Sequence, residues 1–353
     1  MKKNKLAIAI GVVVLIGIVS LLAYRAQNRG ASDGIIRVGA ILPLTGVVAE
    51  AGEDMQRGVL LARDELSNKG VHLDLKIEDG KYLSKDSISC FNRLTAIGID
   101  YLLIAGQVPA ASVKPLVSKR QVKTMATIAG GKKIPEANDY MYRCYFSSYR
   151  VGEILGEYSN TNLLLKSVSI LKIDNDWGSD AADGFRKAYN GDIQTIETYD
   201  IADKNIRPQV SKVLEGKPSG IFVTGFGPGF SICFNRIRES GYTGIILTDP
   251  QILEPSYQRQ ISNLSGIYYV CSEFDLPDRG GATQFFSREY VKKYKTAPSL
   301  FSAFGYTSLK ILVDKNLYLR DKGDRYFCET PIGNICFDEN GDAILPLYIK
   351  RFN

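Results

Sequence analysis

From Ile35 onward two kinds of apolar pattern alternate along the chain. "IIRVGAILPL" is an almost unbroken apolar run, which predicts a strand buried on both faces. Over 53–68, Met55, Val59, Leu60, Ala62 and Leu66 recur near helical spacing, and Gly70 closes the pattern. "LDLKIED" then alternates as a strand, 87–97 reads as a helix, "IDYLLIAG" as a strand, 111–119 as a short helix and "VKTMATIA" as a strand. After Asn162 the rhythm restarts. "SVSILKI", "TIETYD", "GIFVTGF" and "GIILTD" read as strands, separated by helices over 179–189, 208–214 and 230–240. Two successive runs of this kind predict two doubly wound, parallel-sheet α/β lobes with right-handed crossovers. The tail departs from the order: helices over 284–293 and 302–319 precede "GNICFDENGDAILPLYIKRF", a hairpin turning on Glu-Asn-Gly. Returning this tail to the first lobe would cross the chain between the lobes several times and leave a cleft between them.

The first 33 residues belong to neither lobe. "LAIAIGVVVLIGIVSLLA", residues 6–23, is 18 residues without a charge behind three lysines, which predicts an N-terminal apolar helix that targets the membrane. Uncleaved anchor and cleaved signal both fit, and in either case the lysine-rich end stays inside and the body is exported. The formal net charge of +6 also traces largely to this end. Setting aside Lys2, Lys3, Lys5, Arg25 and Arg29 leaves 39 basic against 38 acidic residues, too even a balance for a nucleic-acid partner. The body's length suits two domains of ordinary size. The six cysteines are widely spread, and only Cys328 and Cys336, across "ETPIGNI", lie close enough in sequence to suggest a pair.

In open α/β sheets, ligands gather beyond the carboxyl ends of the strands. The loops there include "PLTGVVAEAG", "AGQVPAAS" and "TIAGGKK" in the first lobe and "DNDWGS", "TGFGPG" and "TDPQIL" in the second. None holds a catalytic set, and none calls for a metal or a cofactor. His72 is the only histidine, which argues against a metal cluster or a histidine-based triad. "GFGPGF" lacks the Lys-Ser/Thr of a phosphate loop. Asp174 and Asp176, beside Gly178 and Ser179, read as turn and helix-cap groups before general acids. Trp177, the only tryptophan, stands in this polar stretch. It either plugs the seam between loop and sheet or supplies a rigid wall for a small molecule, with Phe226 as a second wall.

"IRVGAILPLTGVVAEAGEDMQRGVLLARDELSNKG", "KIDNDWGSDAADGFRKA", "IFVTGFGPG", "GYTGIILTD" and "FDENGD" occur in the order of, and resemble, the blocks of periplasmic solute-binding proteins of the leucine/isoleucine/valine-binding type, over residues 35–352. The resemblance implies a clamshell of two lobes with three crossovers, near 143–148, 272–275 and 345. It divides the chain into a signal or anchor with linker (1–33), lobe one (34–146 plus 274–345) and lobe two (147–273 plus 346–353). It further implies a non-catalytic, extracytoplasmic protein, in the periplasm or on the outer face of the membrane. Such a protein takes a small polar solute (amino-acid-like, amide or carboxylate) and passes it to an ABC transporter permease. A membrane-tethered sensor using the same clamshell is the alternative, and a hydrolase a more remote one.

The resemblance places the family's aromatic cover on Trp177 and its carboxylate-holding loop on Ala110, Ala111 and Ser112. The next loop, usually two alanine-like positions and a threonine, reads Ala129, Gly130, Gly131. The acid that pairs with a ligand ammonium falls on Gln251, with Asp249 two positions earlier, and an aromatic of the first loop falls near Ala51. Loss of that charge partner argues against an α-amino acid bound in the family's usual way. Lys132 and Lys133 would favour an anion if they turned inward, although solvated lysines are the commoner outcome.

Overall fold

A computed structural model describes residues 34–353 apart from 138, 278, 279 and 314–327. The apolar segment over 6–23 and the end of the helix expected over 302–319 lie outside the described residues. Among the described residues, no helix is long and apolar enough to cross a membrane.

The first sheet is built from β1 (Ile36–Leu42), β2 (Leu73–Asp79), β3 (Tyr101–Ala105), β4 (Lys123–Thr127) and β5 (Met141–Cys144), all parallel, in the order β2-β1-β3-β4-β5. Helices α1 (Ala49–Asn68), α2 (Ser84–Ala96) and α3 (Gln107–Arg120) make the crossovers. The chain then leaves this sheet through 145–147 into α4 (Ser148–Thr161) and a second set of βα units. Their strands are β6 (Ser167–Ile173), β7 (Asp192–Tyr199), β8 (Gly220–Thr224), β9 (Ile245–Thr248) and β10 (Ile267–Cys271), joined by α5 (Asp176–Ala188), α6 (Arg207–Glu215), α7 (Pro228–Glu239) and the short α8 (Pro255–Gln260).

A second passage, after Cys271, returns the chain to the first lobe as α9 (Gly281–Tyr294) and α10 (Leu300–Val313). All fourteen residues of α10 are buried, because it is packed between α1 and the first sheet. A small antiparallel sheet of β11 (Cys328–Thr330), β12 (Gly333–Phe337) and β13 (Ala343–Ile344) follows. The third passage then delivers β14 (Tyr348–Arg351) to the edge of the second sheet, antiparallel to β10, giving the order β14-β10-β9-β8-β6-β7. The structure therefore has two lobes and three inter-lobe connections. Cys328 lies opposite Ile335 and Cys336 opposite Ile344, so the two cysteines are not cross-strand partners.

Arg143, in β5 just before the first connection, fastens that strand to the turn before β13. Only 2% exposed, it donates from Nε to Asp342 Oδ1 (2.6 Å) and from Nη1 to the carbonyl of Gly131 (2.7 Å), and its second terminal nitrogen also reaches the Asp342 carboxylate. A charge buried this deeply is tolerable only when fully paired. Burial pushes the Asp342 carboxyl upward, and the guanidinium offsets part of that push.

Both lobes use one packing device. Across α4 and α5, a Cβ on Gly152 would lie 1.9 Å from the carbonyl oxygen of Ala181, and one on Gly184 2.0 Å from that of Tyr149. Across α1 and α10, a Cβ on Gly58 would lie 1.9 Å from the carbonyl oxygen of Ser302. Glycine here lets two helix backbones touch. Adding one methyl forces the pair apart, so Gly58→Ala and Gly152→Ala should each lower unfolding free energy by about 1–3 kcal/mol in urea titrations. Gly281→Ala, whose new methyl meets only a side-chain tip at 3.6 Å, should change it little.

Candidate functional site

The carboxyl ends of both sheets face a common cavity of about 180 Å³, smaller than the roughly 300 Å³ at which pockets for drug-sized molecules begin. Each wall continues from a strand end. Pro43 follows β1, Tyr82 follows β2, Gly106 follows β3 and Ile128 follows β4 on one side; Trp177, Phe226 and Gln251 follow β6, β8 and β9 on the other. Helix α1 adds Ala51 and Met55, the first connection adds Tyr145, and the segment before α8 adds Glu254.

On the first-lobe side, Asp79 organises the loops. Its carboxylate accepts from the N–H groups of Leu44 (2.9 Å) and Lys81 (2.9 Å) and from the Thr45 hydroxyl (2.5 Å), which holds its pKa below the ordinary carboxylate value against the opposing effect of burial. The loop so fixed carries Tyr82 at φ 61°, a left-handed conformation uncommon for an aromatic residue. The Tyr82 hydroxyl lies near the backbone N–H groups of Gln107 and Val108 at the start of α3, and desolvation pushes its pKa up. Its ring meets Phe226 of the other lobe edge to face at 6.1 Å. Ile128 is likewise at positive φ, 53°.

The second-lobe side turns on Asp249. Its Oδ2 accepts from Trp177 Nε1 (3.0 Å), Thr224 Oγ1 (2.7 Å) and Gly225 N (2.9 Å). Burial nevertheless outweighs these donors and pushes the carboxyl up to about 7. Trp177 is in the first turn of α5, since Asn175 caps that helix by accepting from Gly178 N at 3.1 Å. The cap is therefore Asn175, where sequence pointed to the neighbouring aspartates. The indole is only 2% exposed, its N–H is consumed by Asp249 and Thr224, and its ring both walls the cavity and abuts Tyr145 at 5.8 Å.

Of the residues singled out from sequence, Trp177, Phe226 and Gln251 line the cavity. Asp249 stands behind that wall, directed at the indole N–H. Ala110 and Ser112 belong to α3, which begins at Gln107 where a loop was expected. Ala110 is packed in the core, and the Ser112 hydroxyl donates to the carbonyl of Pro109 (2.7 Å). Ala129 is also in the core. Gly130 lies against the indole, where a Cβ would come within 2.1 Å of Cζ3, and Gly131 donates its N–H to Gln107 Oε1 (2.8 Å). Lys132 and Lys133 are exposed: the Lys132 ammonium lies over the Tyr149 ring, 3.7 Å from its centroid. The glycine-rich loop presents no free phosphate cradle at Gly225 and Gly227, because Gly225 N donates to Asp249 and Gly227 N to the Tyr257 hydroxyl (2.8 Å).

Tyr82, Tyr145 and Glu254 escaped the sequence reading. Tyr145 was legible only as part of an inter-lobe connection, and Glu254 follows "TDPQIL" by one residue. Glu254 is 4% exposed, and its pKa is raised well above the ordinary value, first by burial and then by the nearby Asp54 carboxylate. Among the described residues, no lining side chain is a lysine, arginine or histidine.

Comparison with known proteins agrees with this arrangement. Residues 35–314 match the family described as "Periplasmic binding protein". Leu/Ile/Val-binding protein homolog 3 of Brucella melitensis is 23% identical, over 94% of this chain and 95% of its own. The leucine-, isoleucine-, valine-, threonine- and alanine-binding protein of Pseudomonas aeruginosa is 19% identical over 87% of each chain. Among solved structures, the branched-chain amino acid transporter substrate-binding protein LivJ of Streptococcus pneumoniae, in complex with isoleucine, superposes with a TM-score of 0.80 at 22% identity, covering 90% of this chain and 96% of its own. A solute-binding protein of an ABC transporter from R. palustris, in complex with benzoate, superposes with a TM-score of 0.79 at 18% identity, covering 91% and 94%.

The pinning of Trp177 generates a pH test. Asp249 has a folded pKa near 7 against an ordinary 3.8, so the native state holds a proton that the unfolded state has released. Its stability contribution is greatest below the unfolded value, falls as pH rises towards 7, and is constant above it, with a limiting slope of about 1.4 kcal/mol per pH unit. Asp249→Asn removes this titration. The unfolding free energy of Asp249→Asn relative to the natural chain should therefore rise between about pH 4 and 7 and level off above, as read in urea titrations across that range.

Proposed function

Because the chain belongs to the periplasmic binding protein family, we propose that it is an extracytoplasmic solute-binding protein that captures a small molecule between its lobes and passes it to an ABC-type importer. The observation that carries this reading is a cavity walled from both lobes, so that a guest touches both only when they are together. In the arrangement described, Tyr82 meets Phe226, Arg259 on α8 pairs with Glu50 on α1 (3.3 Å), and Lys132 N donates to Asp180 (2.7 Å), each contact joining one lobe to the other. A ligand touching both walls favours this state over an open one by its differential affinity.

The division into lobe one (34–146 plus 274–345) and lobe two (147–273 plus 346–353) suits rigid bodies turning about the three connections. Residues 6–23 would export the chain or tether it to the outer face of the membrane. The bound isoleucine of LivJ and the bound benzoate of the R. palustris protein support a small solute with an apolar body. So does the lining here, in which Trp177, Phe226, Tyr82 and Met55 meet a few polar groups. The role is capture without catalysis.

The lone tryptophan makes a direct test possible. A solute that raises the melting temperature in a screen of amino acids, amines, amides and organic acids should also shift the emission of Trp177. Phe226→Ala should weaken that solute roughly tenfold while melting within a few degrees of the natural chain, consistent with loss of one aromatic wall. Ser112→Ala, away from the cavity, should leave affinity unchanged. A solute whose affinity is indifferent to Phe226→Ala and whose binding leaves the emission unmoved is bound elsewhere, and the cleft reading falls.

A further inference from the structure

The polar groups of the cavity divide unevenly. Gln251 and Glu254, each 4% exposed, stand at either end of one short turn and both line the cavity. Gln251 Nε2 donates to the Tyr145 hydroxyl (3.1 Å), whereas Gln251 Oε1 and Glu254 Oε1 have no hydrogen-bond partner. Both unpartnered atoms are acceptors. A buried acceptor left without a donor costs about 1–3 kcal/mol, so a guest that brings donors is favoured over one that brings more acceptors.

Several backbone donors near the cavity are committed elsewhere. The N–H of Gly131 serves Gln107, that of Gly225 serves Asp249 and that of Gly227 serves Tyr257. The start of α1 also faces the cavity, but it carries Glu50 in its first turn, which repels an anion. Among the described residues no cationic side chain lines the cavity, so a carboxylate guest could stand beside Glu254 only while that acid keeps its proton, with nothing to compensate its own charge.

We propose that the cleft selects a primary amine on a small apolar or aromatic body, without a carboxylate, whose N–H donors are taken by Glu254 and Gln251. This inference rests on the solute-binding reading and narrows it. The ammonium would supply the charge that a desolvated Glu254 lacks. The groups that bear on Glu254 from neighbouring elements are Asp54 and Glu50 of α1, Asp275 of the turn after β10, and Tyr145 and Tyr257. Asp54 is already paired with Arg57 (2.6 Å) and Glu50 with Arg259 (3.3 Å). Burial favours the protonated acid before binding, and a cationic guest favours the carboxylate, so binding displaces the Glu254 proton to solvent. No covalent bond is made or broken in the amine.

Isothermal titration calorimetry with benzylamine, benzamide, benzoate and phenylalanine, four heads on a common ring, tests the proposal. Benzylamine should bind at least about tenfold tighter than the other three, the factor expected of one charge-assisted hydrogen bond. Its affinity should rise with pH, by up to tenfold per unit, while Glu254 is protonated in the free chain, with a heat that depends on the buffer's ionisation enthalpy. Glu254→Gln should abolish the proton release and weaken benzylamine at least about tenfold without lowering the melting temperature, since it removes a buried ionisable group of the same shape. Benzoate or phenylalanine binding as tightly as benzylamine overturns the proposal, and so does benzylamine binding in the natural chain without proton release. In those cases a cleft ligand exists and the solute-binding reading stands. Silence from all four, together with a response to another class of solute, overturns the amine alone; silence from every solute in the wider screen overturns both.

Discussion

One buried carboxylate organises the second lobe's face of the cleft. Asp249 gathers the indole N–H of Trp177, the hydroxyl of Thr224 and the backbone of Gly225, groups at the ends of β6 and β8, onto one oxygen. Its desolvation is costly, as the raised pKa records. The result is a rigid aromatic wall with no free N–H, so that the indole offers a guest its ring and little else. Gly130 of the first lobe lies against that ring because any larger residue would collide with it. The lone tryptophan thus walls the cavity and abuts Gly130 of the first lobe, where sequence offered as alternatives a wall or a plug between its own loop and sheet.

The first lobe solves the corresponding problem with a phenol. Tyr82, held at positive φ by a loop that Asp79 organises, stands beside the start of α3 and reaches Phe226 with its ring. The second lobe spends the strand-end N–H of Gly225 on Asp249, behind its own wall. The polar lining consists of amides, hydroxyls and the acids Glu50 and Glu254, with unpartnered acceptors on Gln251 and Glu254.

Mechanically, the lobes are stiff and the connections are few. Glycine-mediated helix contacts, α1 with α10 and α4 with α5, bring backbone against backbone within each lobe, leaving little compliance there. The guanidinium of Arg143, just before the first connection, ties β5, the Gly131 loop and the turn before β13 together. Motion between lobes then falls on the short segments between strands and helices, as hinge motion requires.

The alternation of apolar runs with helical spacings placed most of the βα units and grouped them in two lobes, because that pattern is local and repeats, but it passed over β5, α4, α8 and β10 and read β14 as part of a hairpin where it joins the second sheet. The strand-end rule pointed to the loops that carry Trp177, Phe226 and Gln251, and all three residues line the cavity. Tyr82 lay between two recognised elements, and Glu254 just beyond one, where nothing in the residues themselves marks a wall. Whether Asp249 met solvent or an indole, whether Gly130 faced a ligand or a ring, and whether α3 began before or after Ala110 depended on which side chains arrive from distant parts of the chain. Burial and hydrogen-bond pairing are settled by those arrivals, and only the folded arrangement of two sheets and three connections decides them.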